Sequence, residues 1–287
     1  MNYILFNHDI VMRDQFVDIE DRGYQFGDGI YEVIGVYNRM PMLVDEHLQR
    51  LERSAKEIAL KLPYSTESLK EKLLELIEKN DLVEGILYFQ VSRGSAPRWH
   101  EFPEADTPAV TVAYTRSEER MTGMEDDGGK AITTEDNRWL RCDIKSLNLL
   151  PNVLAKQKAH EQDAIEAIFH RDGAITEASA SNVFIVKAGE LYTHPANHLI
   201  LNGITRQQIL KISEKLNMTV HEKPYDQKDL IFADEVFITA TKLDVIPIIQ
   251  IDDSQIGTGL PGQVTKKIVD HFRALITDLK KEAHPFK

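Results

Sequence analysis

The order in which strand-like and helix-like segments follow one another constrains the fold of this chain most. Gly29–Tyr37 alternates β-forming with small residues, as strands do. Asp45–Leu62 and Ser65–Asn80 repeat apolar residues at helical spacing. Two more predicted strands of this half are Ile86–Arg93 and Ala109–Thr115. Because no regular strand–helix–strand rhythm runs through the chain, we predict an α+β fold.

The chain is long enough for two domains. A chain of 287 residues usually folds around more than one hydrophobic core. A polar, charged stretch ends in Asp126-Asp127-Gly128-Gly129, which is typical of a domain junction. We therefore predict an N-terminal α/β domain over 1–117, a linker over 118–129 and a C-terminal α+β domain over 130–287. Elements predicted in the second domain are helices over Asn152–Gln162, Thr205–Leu216 and Pro261–Ala283, and a hairpin turning at Asp172-Gly173.

Charge and cysteine content narrow the function classes. The chain has 46 acidic residues against 34 Lys and Arg, a net charge of −12. Such a chain repels nucleic acids and anionic membranes. One cysteine, Cys142, allows no intrachain disulfide, and the first residues lack the features of a signal peptide, so we predict a cytoplasmic protein. We expect Cys142 to be a small buried thiol. No HExxH motif occurs, so no metal site is predicted.

A lysine and a glutamate suggest chemistry. Lys145 follows the apolar Ile144 at the predicted mouth of a strand, and Glu177 lies 32 residues later at the head of a predicted hairpin. A lysine amine can bond covalently to an aldehyde cofactor, and a carboxylate can keep a pyridine nitrogen protonated. A pyridoxal phosphate (PLP) enzyme needs both groups. The alternative is that both are ordinary solvated side chains.

A phosphate site is suggested by the segment Leu201–Arg206, which opens a predicted helix. Its free N–H groups, Gly203 and the Thr205 hydroxyl suit an anion. Thr241 could add a hydroxyl, and Arg50 could add a cation. Ordinary helix capping by Thr205 is the alternative explanation.

A carboxylate site is suggested by the loop Arg93–His100. Gly, Ser and Pro make it irregular, and it carries Arg98 and His100 two positions apart. The planar guanidinium of arginine matches a carboxylate, His100 could add a donor, and Tyr31 a hydroxyl. An exposed basic loop without function is the alternative.

Together these motifs resemble the fold-type IV PLP enzymes, and most closely the bacterial D-amino acid aminotransferases. The resemblance runs essentially from end to end. Its segments are Asp21–Val33, Pro97–His100, Arg138–Asn148, the Glu177 hairpin and Thr193–Asn197. It implies a homodimer of two-domain subunits with the cofactor at the domain interface. The chain departs from the family at Ala240, where serine is common, and at Leu150-Pro151-Asn152.

The resemblance also implies residue roles. Lys145 would be the Schiff-base lysine and the base that moves the α-proton, and Glu177 would pair with the pyridine nitrogen. The phosphate would be held by Arg50, Ile204, Thr205 and Thr241. The substrate α-carboxylate would be bound by Tyr31 and, reaching in from the partner subunit, by Arg98 and His100. Glu166 stands where the family has a glutamate near the cofactor.

The implied reaction is transamination between a D-amino acid and a 2-oxo acid. D-alanine and 2-oxoglutarate would give pyruvate and D-glutamate. Within the same fold type the alternatives are a branched-chain L-amino acid aminotransferase, which generally lacks the Arg-x-His loop, and an aminodeoxychorismate-type lyase. From another class, a protein that binds a phosphorylated ligand without chemistry is also open.

Overall fold

The computed structural model describes residues 2–118 and 123–281, which divide into two units. Unit 1 contains residues 2–118, Ile144–Asn148 and 278–281, and unit 2 contains 123–143 and 149–277. This division differs from the sequence-based one, which assigned Lys145 to the second domain. The reason is local bonding, described below. Residues 119–122 of the predicted linker and 282–287 lie outside the described residues.

Unit 1 is built on a six-stranded sheet in the order β2-β1-β6-β5-β3-β4. Its strands are β1 (Tyr3–Phe6), β2 (Asp9–Met12), β3 (Gly29–Tyr37), β4 (Met40–Pro41), β5 (Glu84–Ser92) and β6 (Val110–Ser117). Its helices are α1 (Arg22–Phe26), α2 (Val44–Glu57) and α3 (Thr66–Lys79). The apolar stripes of α2 and α3 and apolar side chains of the sheet form one core.

Helix α2 ends five residues before the predicted position. Ala59 adopts a positive φ of 49°. Its N–H bonds to the Lys56 carbonyl and the Leu60 N–H bonds to the Ala55 carbonyl, which is a Schellman ending. Helix α3 begins where predicted, because the Ser65 hydroxyl accepts from the Ser68 N–H.

Unit 2 is built on a nine-stranded sheet in the order β12-β11-β10-β13-β14-β7-β8-β9, with β15 paired to β14. The strands are β7 (Gly129–Glu135), β8 (Glu166–Arg171), β9 (Ala174–Ala178), β10 (Asn182–Lys187), β11 (Glu190–Thr193), β12 (Val220–Glu222), β13 (Glu235–Ala240), β14 (Asp244–Ile251) and β15 (Ser254–Gln255). The helices are α4 (Met124–Asp127), α5 (Leu150–His160), α6 (Ile204–Lys215), α7 (Gln227–Ile231) and α8 (Gln263–Lys281), the last of which ends in unit 1.

The turn sequence of the β8–β9 hairpin sets the position of Glu177. Asp172 and Gly173 form its turn with φ of 49° and 83°. Asp-Gly favours this left-handed geometry, which matches the twist of a hairpin. The turn starts β9 and puts Glu177 on that strand.

Of the helices in the described part of the chain, none is long and apolar enough to cross a membrane.

Candidate active site

Lys145 lies in an irregular segment of unit 1. The prediction that it stands at the mouth of a strand is wrong: Ile144–Asn148 forms only a single bridge, between Ser146 and Ile30. The Lys145 carbonyl accepts from the Tyr31 N–H at 3.0 Å, and the Lys145 N–H donates to Ser54 Oγ at 3.3 Å. These bonds, and burial of Ile144 in the unit 1 core, explain why the segment belongs to unit 1.

The amine of Lys145 sits against an aromatic row. Its Nζ lies 4.2 Å from the centre of the Tyr31 ring. Tyr31 stacks on Tyr88 with 5.8 Å between centroids, and Tyr88 stacks on Tyr114 at 5.0 Å. The row exists because β3, β5 and β6 are neighbours and place side chains of one face side by side. The Tyr31 ring and the Lys145 amine are therefore neighbours.

Behind Tyr31, on the opposite face of β3, Glu32 holds Arg50. Arg50 donates from Nε to Oε1 at 2.7 Å and from Nη2 to Oε2 at 2.8 Å. The His47 Nδ1 lies 2.7 Å from Oε2, and because a carboxylate only accepts, this nitrogen carries the proton. Glu32 and His47 are fully buried. We did not predict these two residues; a charged side chain inside an apolar strand was the available signal.

Burial and the neighbouring charges determine the protonation states of Glu32 and His47. Burial acts to raise the pKa of Glu32, but the charge and hydrogen bonds of Arg50 and the bond from His47 lower it to about 2. Burial also lowers the pKa of His47, so its ring is neutral at pH 7. The group is one buried ion pair with a neutral imidazole beside it. It orients the Arg50 guanidinium on α2.

The loop residues Arg98 and His100 are exposed, and both contact Phe26. The Arg98 guanidinium lies 4.9 Å from the centre of the Phe26 ring, and the His100 ring meets it edge-on at 5.8 Å. Arg22 fixes the loop backbone by donating to the Trp99 carbonyl at 2.7 Å. The structure therefore brings the two predicted carboxylate ligands together on one aromatic ring.

Glu177 lies buried on β9 in unit 2 and is hydrogen-bonded at both oxygens. Oε1 is 2.5 Å from Arg138 Nη1, Oε2 accepts from Asn182 Nδ2 at 3.0 Å, and the Leu201 N–H reaches both oxygens at 3.1 and 3.2 Å. Burial raises the pKa of Glu177, and Arg138 and the Leu201 N–H oppose that rise. We predicted no role for Arg138 or Asn182 from the sequence.

Asn182 connects Glu177 to the predicted phosphate segment. Its side chain also donates to the Leu201 carbonyl at 2.8 Å. Gly203, the residue before α6, approaches so closely that an added Cβ would lie 2.2 Å from Asn182 Oδ1. Glycine is therefore required there for packing, and it provides no side-chain cap to α6. The first turn of α6, with Ile204 and Thr205 buried, keeps N–H groups for an anion.

Thr241 and Glu166 lie elsewhere in unit 2. Thr241 is in the turn after β13, next to Ala240. On the same strand the buried Thr239 Oγ1 has no hydrogen-bond partner among the residues that the structure describes. Glu166 is fully buried and accepts from Ser179 Oγ and, at 3.0 Å, from Ser181 Oγ.

Cys142 is buried as predicted, and burial raises its pKa to about 11, which argues against a reactive thiol.

Comparison with known proteins identifies the family. The model of class IV amino-transferases matches residues 29–251, and the chain belongs to that family. The D-alanine aminotransferase of Bacillus licheniformis is 50% identical over 266 residues, covering 92% of this chain and 94% of the relative. The D-alanine aminotransferase of Listeria monocytogenes is 49% identical over 280 residues, covering 96% of each. The branched-chain amino acid aminotransferase structure from Escherichia coli superposes with a TM-score of 0.90 at 27% identity, covering 100% of this chain and 97% of that one.

These findings confirm the predicted family resemblance, the mixed α+β fold of fold-type IV aminotransferases and the activity of an aminotransferase. Membership in the family implies PLP as the cofactor. The residues present fit that group. A buried carboxylate suits a pyridinium, an uncapped helix start suits a phosphate, and the orphaned Thr239 hydroxyl is one more donor.

Proposed function

We propose that this aminotransferase transfers the amino group of a D-amino acid, with D-alanine as donor and 2-oxoglutarate as acceptor, giving pyruvate and D-glutamate. The observation that carries the proposal is the Arg98–His100 loop in a chain about half identical to D-alanine aminotransferases. Branched-chain enzymes generally lack that loop. The single cysteine supports a cytoplasmic location.

The proposed cofactor site uses the residues predicted from sequence. Lys145 would tether the cofactor, Glu177 would accept from its ring nitrogen, and Arg50, Ile204, Thr205 and Thr241 would hold its phosphate. When bound, PLP supplies an electron sink for the charge that develops at the substrate α-carbon. The Arg50 guanidinium supports this assignment, since Glu32 holds it in one orientation by two bonds. The uncapped start of α6 supports the roles of Ile204 and Thr205.

Substrate binding and proton transfer are assigned to unit 1 side chains. Lys145 Nζ would act as the general acid–base group. It would take the α-proton from the substrate and hold it for its later return to carbon. Tyr31 would hold that amine in place, as its ring lies 4.2 Å from Nζ. Tyr31, Arg98 and His100 would fix the carboxylate. With the carboxylate and nitrogen both fixed, only one enantiomer directs its α-hydrogen at the base.

The stereochemical assignment predicts that D-alanine reacts and L-alanine does not. Each isomer is supplied separately with 2-oxoglutarate, and pyruvate and glutamate are measured, the latter on a chiral column. We expect pyruvate and D-glutamate from D-alanine alone. L-leucine serves as the control substrate. Turnover of L-alanine or L-leucine in place of D-alanine would indicate a branched-chain type enzyme, and pyruvate released without any acceptor would indicate a lyase.

We further propose a homodimer in which Arg98 and His100 serve the partner's active site. Both side chains are exposed, and so are Trp99 (70%), which lies between them, and Phe102 (61%), two residues after His100. Large exposed aromatic residues next to an arginine are typical of protein interfaces.

Subunit mixing tests this arrangement. Lys145→Ala and Arg98→Ala are each expected to be inactive as pure proteins, and their mixture is refolded or co-expressed. If Arg98 acts across the interface, mixed dimers contain one intact site, and about a quarter of wild-type activity returns at equal amounts. If Arg98 acts on its own subunit, no activity returns. A mixture of Lys145→Ala with Lys145→Ala carrying Arg98→Ala is the control, because no intact site can form in it.

A further inference from the structure

The Glu177 carboxylate is held by a second buried ion pair that the assigned reaction does not use. Arg138 contacts Glu177 Oε1, and the other edge of its guanidinium makes two hydrogen bonds to Asp136. Its Nε donates to Oδ1 at 2.8 Å and its Nη2 donates to Oδ2 at 2.8 Å. The side chains of Arg138 and Asp136 are 6% and 0% exposed. One guanidinium therefore joins two carboxylates away from water.

Further groups fix this arrangement. Thr176 Oγ1 donates to Asp136 Oδ2 at 2.9 Å, and Arg171 Nη2 lies 3.1 Å from Asp136 Oδ1. Arg138 also lies over the Phe169 ring at 4.6 Å. Because each partner is itself bonded, the guanidinium has one orientation. Arg138 consequently holds Glu177 Oε1 in one position on β9.

Charge is as important as orientation here. Glu177 is buried, and burial favours the neutral acid. Arg138 and the Leu201 N–H favour the carboxylate, while the charge of Asp136 favours the acid. Arg171 beside Asp136 and the neutral Cys142 thiol also face this ion pair. A neutral Glu177 would donate a hydrogen bond to a ring nitrogen, whereas an ionised one accepts from it.

We propose that Arg138 is a positioning residue that keeps Glu177 ionised and oriented, and that Asp136 orients Arg138, so that the proton of the Glu177–ring nitrogen hydrogen bond stays on the cofactor. The inference rests on the proposed role of Glu177. It assigns opposite electrostatic effects to the two residues. Arg138 stabilises the Glu177 carboxylate, and Asp136 orients Arg138 while its own charge works against that carboxylate.

The test titrates Glu177 in the apoprotein, where no cofactor or activity is involved. Infrared difference spectra against pH follow the carbonyl band of the protonated acid, which is assigned by its loss in Glu177→Gln. We expect Arg138→Gln to raise the titration midpoint by about one pH unit or more, a tenfold change in proton affinity. We expect Asp136→Asn to lower it. Arg138→Lys, which keeps the charge, should leave the midpoint close to that of the wild type.

Arg273→Gln is the matched control, because Arg273 also bonds to two carboxylates of unit 2, Glu125 and Asp126. It should not move the Glu177 midpoint. A loss of stability alone, with unchanged midpoints in Arg138→Gln and Asp136→Asn, would overturn the proposal. Should Arg138→Gln fail to fold, Arg138→Met is titrated in its place, and the same rise of the Glu177 midpoint is expected. Absence of cofactor binding by the wild type would reject the proposed function, while the apoprotein titration would still report on Arg138.

Discussion

Lys145→Ala is expected to lose the covalent cofactor link and to lower transamination by at least about 10²–10⁴-fold. That range is the usual contribution of a positioned general acid or base. Here the same amine would serve as tether and as proton carrier, so both functions disappear with one side chain. The half-buried Lys145 is fixed by its backbone bonds to Tyr31 and Ser54, and the substitution should leave the fold intact.

Two measurements separate the covalent link from non-covalent binding of the cofactor. Borohydride reduction followed by peptide mapping should locate the cofactor on the peptide containing Lys145 in the wild type and on no peptide of the variant. Equilibrium dialysis should still detect non-covalent cofactor in the variant, because the proposed phosphate ligands remain. Lys61→Ala, which removes an exposed lysine of the same unit, is the control and should behave as wild type. A label found on another lysine would contradict the assignment.

Glu32→Gln is expected to have the largest effect on stability, about 3–5 kcal/mol at pH 7, which is typical when one partner of a buried ion pair is removed. Glu32 is fully buried, and glutamine removes the negative charge that pairs with the Arg50 guanidinium. Urea unfolding of the apoprotein measures the loss without a contribution from bound cofactor. Glu75→Gln, at an exposed pair with Lys72, is the control and should change stability by no more than about 0.5 kcal/mol.

The same variant has a defined pH dependence. The pKa of Glu32 is about 2 in the folded protein against an ordinary 4.5, so the carboxylate stabilises the fold fully above pH 4.5. That contribution is lost as the pH falls from 4.5 towards 2. The stability difference between wild type and Glu32→Gln should therefore be constant from pH 7 to about 5 and shrink below 4.5. A difference that does not depend on pH would show that packing, and not charge, is responsible.

The buried ion pairs around Glu32 and Glu177 have a common design. In each, an arginine makes a two-point contact with one carboxylate, so its orientation is fixed by the protein. Glu32 orients the Arg50 guanidinium, the proposed phosphate ligand. Asp136 and Arg138 orient the Glu177 carboxylate, the proposed partner of the ring nitrogen. Preorganised charges of this kind avoid the cost of reorientation during a reaction.

Local sequence determined much of this protein. Turn and cap chemistry is readable because it acts over a few residues: Asp172-Gly173 set the hairpin, and Ser65 set the start of α3. The residue types at Lys145 and Glu177 were readable as well, because few side chains can do the chemistry that they suggest. Their roles, like the remaining site assignments, stay predictions until the variants are measured.

Tertiary structure alone decided which charged groups meet. Glu32 and Arg50 are 18 positions apart, and Arg138 and Glu177 are 39 apart, with no periodicity that relates them. The segment Ile144–Asn148 belongs to unit 1 because its backbone bonds to Tyr31 and Ser54, far earlier in the chain. A buried charge must find a partner somewhere, but its identity depends on how strands and helices pack, and spacing along the chain does not record that.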